Sequence, residues 1–153
     1  MSIDKKAGRA IPANNRQAAI GSQKLIDVAA AVIFRGEKLL ITQRHKDAHL
    51  GGLWEFPGGK READETFEEC LVRELREELG IEAAVEGLLE DVTHVYADKR
   101  VRLKFFTCRV LAGEPQALGC AAVKWIGKTE LAVHEFPAAD AHLLQKLRFY
   151  DFP

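Results

Sequence analysis

The chain has 153 residues, 47% of them apolar and 29% charged, which is the make-up of a single globular domain and excludes a disordered or collagen-like polymer. Twenty-two basic against twenty-three acidic residues leave a formal net charge of −1, so no broad nucleic-acid or membrane footprint is implied. No apolar run approaches the roughly 18 to 20 residues that span a bilayer, and a chain of this length buries about two-thirds of its extended surface, enough to fold without a staple.

Residues 1–22 are polar, carry no apolar period and are broken by Gly8, Pro12, Asn14, Asn15 and Gly21. They read as an exposed, solvated arm without the apolar core of a secretory leader. The remainder, 23–153, reads as one domain. Residues 25–34 form a buried strand, Arg35-Gly36-Glu37 a turn, and 38–43 the returning strand of a hairpin. A loop over 45–53 follows, then a short alternating stretch over 54–56 that meets the breaker Pro57-Gly58-Gly59. The spacing of Phe67, Leu71, Leu75 and Leu79 predicts a helix over 66–79, with Thr66 and Glu69 as a capping box and Gly80 past its end. Two long strands over 81–96 and 100–111, a strand over 123–126 and a helix over 138–147 complete the chain. Strands around two helices, without a regular βαβ rhythm, indicate an α+β fold with a mixed sheet. Cys70, Cys108 and Cys120 are widely spaced and read as buried reduced thiols of a cytoplasmic protein.

The chemistry concentrates in the predicted helix. At about 100° per residue, Glu78 falls inside the apolar arc, Glu74 at its edge and Glu77 one step outside. Unpaired carboxylates there would repel one another and carry a heavy desolvation penalty, so a cation is expected among them. Oxygen-only donors suit Mg2+ or Mn2+. Salt bridges on a solvated helix explain Glu68, Glu69 and part of the Arg73 and Glu77 pair, but not Glu78 among leucines. Ahead of the helix, Gly58 and Gly59 let backbone come close to a ligand.

Gly59, five residues, Glu65, seven residues, then Arg73-Glu74-Leu75-Arg76-Glu77-Glu78-Leu79-Gly80-Ile81 matches G-x5-E-x7-R-E-U-x-E-E-x-G-U without a departure, nine fixed positions over 23 residues. This resembles the signature of the Nudix hydrolases, which cleave nucleoside diphosphates linked to another moiety. The resemblance implies an α/β/α sandwich with a mixed central sheet and a Mg2+ or Mn2+ cofactor. It implies Glu74, Glu77, Glu78 and the Gly58 carbonyl as metal ligands, Glu65 as the residue ordering the site, and Arg73 as the residue orienting the carboxylates. Glu74 is also the candidate for assisting deprotonation of water, with ligation alone as the alternative.

Outside that box, from about residue 27 to 147, the chain is similar to the MutT branch, the 8-oxo-dGTP diphosphatases. Leu53-Trp54-Glu55-Phe56-Pro57-Gly58-Gly59-Lys60 carries most of the likeness. By it, Arg44 corresponds to a phosphate-binding arginine and His49 to a substrate-contacting histidine. Glu55, Phe56, Pro57 and Gly58 correspond to the strand lining the nucleotide pocket, and Arg100 to a residue beside the base.

There are two departures. Asp140 stands where the 8-oxoguanine-specific enzymes have Asn, and an ionised Asp accepts hydrogen bonds but cannot donate one to O6. Gly119 stands near the place of a further metal-binding glutamate, six residues before Trp125.

The expected activity is therefore hydrolysis of a nucleoside triphosphate to monophosphate and pyrophosphate. 8-Oxo-dGTP is the leading substrate, with CTP or 5-methyl-dCTP as the alternative. A non-catalytic module that reads 8-oxoguanine would show an eroded box and a glycosylase domain upstream, for which the stretch before the first strand is expected to be too short. The partner expected is a small-molecule nucleotide, with neither a nucleic-acid polymer nor a membrane, and the chain acts as a monomer or homodimer.

Overall fold

The computed structural model describes residues 24–153; the arm expected over 1–22 lies outside the described residues. In chain order these form β1 (Lys24–Arg35), β2 (Lys38–Gln43), β3 (Trp54–Glu55), β4 (Gly58–Lys60), α1 (Phe67–Leu79), β5 (Glu82–Val95), β6 (Lys99–Ala112), β7 (Ala122–Gly127), two 3₁₀ turns (Lys128–Val133 and Ala138–Asp140) and α2 (Ala141–Arg148).

β1 organises the molecule. It runs parallel to β6 from Lys24 opposite Lys99 to Ile33 opposite Cys108. It is antiparallel to β4, and at its far end it pairs with β2 around Gly36, whose φ of 57° glycine adopts without strain. β5 and β6 form a long antiparallel hairpin, while β3 and β7 flank β2. The sheet is thus mixed, and the chain is α+β.

Alternation along β1 makes two cores, because successive side chains leave opposite faces of a strand. Ala29, Ala31 and Ile33 pack with Cys70, Leu71, Leu75 and Leu79 of α1. Val28, Ala30 and Val32 pack in a second cluster with Leu143 and Leu147 of α2. One helix on each face gives the expected sandwich. At its start, α1 is capped by the Thr66 hydroxyl, which accepts the Glu69 amide at 3.0 Å. It ends at Gly80 in the left-handed region (φ 69°), whose amide donates to the Arg76 and Leu75 carbonyls.

Three local expectations change. Only Pro57 breaks the chain: Gly58–Lys60 is a strand against β1. The glycines serve close approach there, since a Cβ at Gly58 would overlap the Ala29 backbone and one at Gly59 the Glu74 carboxylate. The last helix starts later than expected, at Ala141, because Asp140 donates to the Pro137 carbonyl at 3.0 Å and closes a tighter 3₁₀ turn first.

Finally, the depth order of two glutamates is reversed. Glu74 is 1% exposed, whereas Glu78 is only half-buried. Buried Cys70, one turn earlier, extends the apolar arc past Glu74, while at Glu78 the facing surface is the loop over 116–119 rather than the sheet.

Candidate active site

The acids of the helix are organised by Arg73. Its Nε donates to Glu65 Oε2 at 2.9 Å and its Nη2 to Glu65 Oε1 at 2.6 Å. Nη1 donates to Glu74 Oε1 at 3.0 Å and to Glu77 Oε2 at 3.2 Å, and Nη2 also reaches the Lys60 carbonyl at 3.2 Å. One planar guanidinium therefore orders three carboxylates and the end of β4, a geometry that a lysine could not reproduce. The Arg73 hydrogen bonds hold the Glu65 carboxyl down at about 2, against an ordinary 4.5, and the Glu65 and Glu74 carboxylates raise the Arg73 pKa further. Beneath them, burial pushes the Cys70 thiol up to about 12, so it is inert.

The three helix glutamates differ in setting. Glu74 is buried against Gly59. Glu77 is exposed and turned to Arg73. The Glu78 carboxylate lies over Gly119, where a Cβ would overlap it. The amides of Leu118 and Gly119 donate to the Glu78 carbonyl at 3.1 and 3.0 Å, and the Gln116 amide donates to that of Leu79 at 3.0 Å. This loop thereby satisfies carbonyls that the helix end would otherwise leave open, and it closes one wall of a cleft.

That cleft is lined by Arg44, Glu55, Gly58, Glu78, Gly119 and Cys120, together with Thr42, His45, Pro57 and Leu79. Among the described residues no three His, Cys, Asp or Glu side chains already converge as a finished metal cage. Arg73 holds Glu74 and Glu77 instead, and Glu78 stands in the cleft wall.

Arg44 follows β2 directly and is 3% exposed. Its Nε donates to the His49 carbonyl at 2.8 Å, and its Nη1 lies 3.6 Å from Glu55 Oε2. The Gly52 amide returns to the Arg44 carbonyl at 3.2 Å, and the Arg44 amide donates to Leu53 at 3.0 Å, closing the loop around the arginine. His49 thus contributes its carbonyl to this arrangement, while as a residue it is exposed.

Pro57 tethers the strand through its carbonyl, which accepts from Ala31 at 2.8 Å. Phe56 is buried and stacks on Phe136 with ring centroids 5.4 Å apart. Asp140, on the next turn of chain, is fully buried. Arg100 pairs with Leu25 in the β1 and β6 ladder. By alternation it shares a face with Arg102 and Lys104, opposite to the face that Val101, Leu103 and Phe105 turn toward Phe56 and α2. The structure therefore brings Arg44, Glu55, Pro57, Gly58 and Glu78 to one cleft, groups Glu65, Arg73, Glu74 and Glu77 beside it, and sets Arg100 on the other face from Phe56. Thr42, His45 and Cys120 join the cleft without having carried any sequence signal; only the pairing of β2 with β7 places Cys120 near Gln43.

The NUDIX domain model matches residues 29–146. The chain belongs to the Nudix family. As a Nudix hydrolase it is 45% identical over 85 residues to the 8-oxo-dGTP diphosphatase of Proteus vulgaris, covering 55% of this chain and 76% of that protein. It is 38% identical over 122 residues to the CTP pyrophosphohydrolase of Escherichia coli (strain K12), covering 80% of this chain and 90% of that protein. Among solved structures, this Nudix chain superposes on the solution structure of the E. coli ORF135 protein with a TM-score of 0.71 at 39% identity, over 82% of this chain and 89% of that one. Among the described residues no helix is long and apolar enough to cross a membrane.

Proposed function

We propose that this Nudix hydrolase is a Mg2+-dependent nucleoside triphosphate pyrophosphohydrolase that releases a nucleoside monophosphate and pyrophosphate. We assign 8-oxo-dGTP as its substrate and sanitation of the cytoplasmic nucleotide pool as its role. One observation carries the reading: a single cleft is lined both by the acid-bearing Glu78 with Gly58 and by the buried cation Arg44. A polyphosphate with its bound cation needs both kinds of wall.

The donors suit Mg2+, with Mn2+ as a substitute, because they are hard oxygens gathered on one helix and one strand end. Glu74, Glu77, Glu78 and the Gly58 carbonyl would hold it, and it would supply charge neutralisation and a water of lowered pKa for attack on phosphorus. The chain's own residues do the rest. Arg73 fixes the orientation of Glu74 and Glu77. Arg44, clamped by the His49 carbonyl and beside Glu55, pairs with phosphate oxygens at the cleft wall. The Arg73 hydrogen bond at 3.0 Å fixes Glu74 Oε1 in place, which suits a ligand held in a set orientation.

A second reading, CTP or 5-methyl-dCTP hydrolysis, is favoured by Asp140. It is fully buried at the start of α2, and an ionised carboxylate suits the amino group of cytosine better than the O6 of 8-oxoguanine. The test is kcat/KM with Mg2+ for 8-oxo-dGTP, dGTP, CTP and 5-methyl-dCTP, in wild type and Asp140→Asn. The proposal expects 8-oxo-dGTP to lead and the substitution to reorder the bases more than it changes the best rate. A lead for the cytosine nucleotides establishes the second reading, and an unchanged ranking in the variant takes Asp140 out of base recognition.

A further inference from the structure

We propose that Asp27 and Arg61 are positioning residues for the carboxylate cluster, acting through the loop that carries Glu65. The inference rests on the hydrolase reading of the Arg73 cluster and adds two residues that its signature does not contain.

Arg61 is the first residue after β4 and ties three parts of the molecule together. Its amide donates to the Asp27 carbonyl at 2.8 Å. In its side chain, Nε and Nη2 both donate to Asp27 Oδ2, at 3.1 and 2.8 Å. Nη1 points the other way, donating to the Glu65 carbonyl at 2.8 Å and to the Glu62 carbonyl at 3.3 Å. The guanidinium also lies over the Phe67 ring, 5.4 Å from its centroid, at the first turn of α1. Asp27 itself is fixed in the β1 ladder opposite Arg102. Strand, loop and helix start are therefore joined by one side chain.

The loop has little else to hold it. Glu62, Ala63 and Asp64 are exposed and bury no apolar side chain, so the position of Glu65 depends on polar contacts. Its carbonyl is taken by Arg61, and its carboxylate by the Glu62 amide at 2.9 Å and by Arg73. From there Arg73 reaches Glu74 and Glu77. The result is a continuous run of contacts from the sheet to the acids of the helix: Asp27 to Arg61, Arg61 to the Glu65 carbonyl, and the Glu65 carboxylate through Arg73 to Glu74 and Glu77.

A second observation separates this from ordinary scaffolding. The remaining carboxylate oxygen of Asp27, Oδ1, is buried and has no hydrogen-bond partner among the described residues. An unsatisfied buried carboxylate oxygen is costly. With the Arg61 and Asp27 side chains still 28% and 19% exposed and one oxygen unpaired, the pair lends little stability of its own; what its forked geometry does is fix the Glu65 loop. Lysine at position 61 would keep the charge but not the fork, since a single ammonium cannot serve Asp27 and the Glu65 carbonyl in opposite directions.

The test uses the full chain as Arg61→Leu, Arg61→Lys and Asp27→Asn, each alone and combined with Glu65→Gln. Mn2+ binding is measured by the electron paramagnetic resonance of the free ion, alongside kcat and KM for the best nucleotide. The expected result for Arg61→Leu is Mn2+ binding weakened about tenfold, at the lower end of what outer-shell partners of metal ligands cost, with kcat falling and KM for the nucleotide little changed. Arg61→Lys should not rescue it, and in the Glu65→Gln background Arg61→Leu should add nothing further. Wild-type Mn2+ affinity in Arg61→Leu, or full additivity with Glu65→Gln, overturns the proposal. If Arg61→Leu does not fold, Asp27→Asn, nearly isosteric, carries the same two criteria. A wild-type protein that neither binds Mn2+ nor hydrolyses a nucleotide would instead overturn the hydrolase reading beneath it.

Discussion

Two glycines decide where two of the acids lie. Gly59 leaves the space that the Glu74 carboxylate fills, and Gly119 the space beneath Glu78. Gly119 is not among the glycines held at positive φ, so alanine there is compatible with the backbone, and the atoms nearest to its methyl group are those of the Glu78 carboxylate. Gly119→Ala should therefore lower Mg2+-dependent turnover about tenfold while the melting temperature changes little. Wild-type turnover would show that Glu78 does not need that space.

The lowered Glu65 carboxyl sets the sign of its pH-dependent contribution. Its carboxyl titrates lower folded than unfolded, so the stability it lends is present above about 4.5 and is lost as the pH falls toward about 2. The melting-temperature gap between wild type and Glu65→Gln should be widest above that window and close as the pH drops through it. A gap constant down to pH 2 contradicts the pair's role.

At this scale the Arg73 cluster was legible because its members lie within a few turns of one helix and one preceding loop. Asp27 and Arg61 were not, being brought together only by the pairing of β1 with β4. The burial of Glu74 below Glu78 was missed because the wheel lacked Cys70 and took no account of what each residue faces.

Among the elements, α1 is the one whose sequence states both of its ends. Thr66 caps the start and Gly80 the finish. Thr66→Ala should cost about 1 kcal/mol and lower the melting temperature by about 2–4 °C for a domain of this size; no change would mean that the cap is replaced by solvent. The strands of the two hairpins were equally readable from alternation and turn residues. Pro57-Gly58-Gly59 was not, because glycine serves both to turn a chain and to let backbones touch, and only the presence of Ala29 and Glu74 on either side decides between them. The tighter turn before α2 was hidden for a similar reason, since the Pro137 carbonyl claims the Asp140 amide.

Over the whole molecule, function follows from where the layers meet. α1 covers one face of the sheet and α2 the other. The cleft opens beside the C-terminal end of α1, between the end of β2, the start of β4 and the loop before β7. Layer order was implied by the family resemblance and by the α+β pattern, and so were Arg44, Glu55, Pro57, Gly58 and Glu78 of the cleft; Thr42, His45 and Cys120 were not, because they come from segments far apart in the chain.

In the function proposed above, Glu78 and its neighbours hold the cation that drives diphosphate hydrolysis. The most direct test is product-resolved turnover of 8-oxo-dGTP and CTP with Mg2+ by wild type and Glu78→Gln, with folding checked by circular dichroism. The account predicts nucleoside monophosphate and pyrophosphate from the wild type, and at least a roughly 100-fold loss in a folded variant, beyond what outer-shell changes cost. Wild-type rates in Glu78→Gln, or release of inorganic phosphate and a nucleoside diphosphate instead, would contradict it.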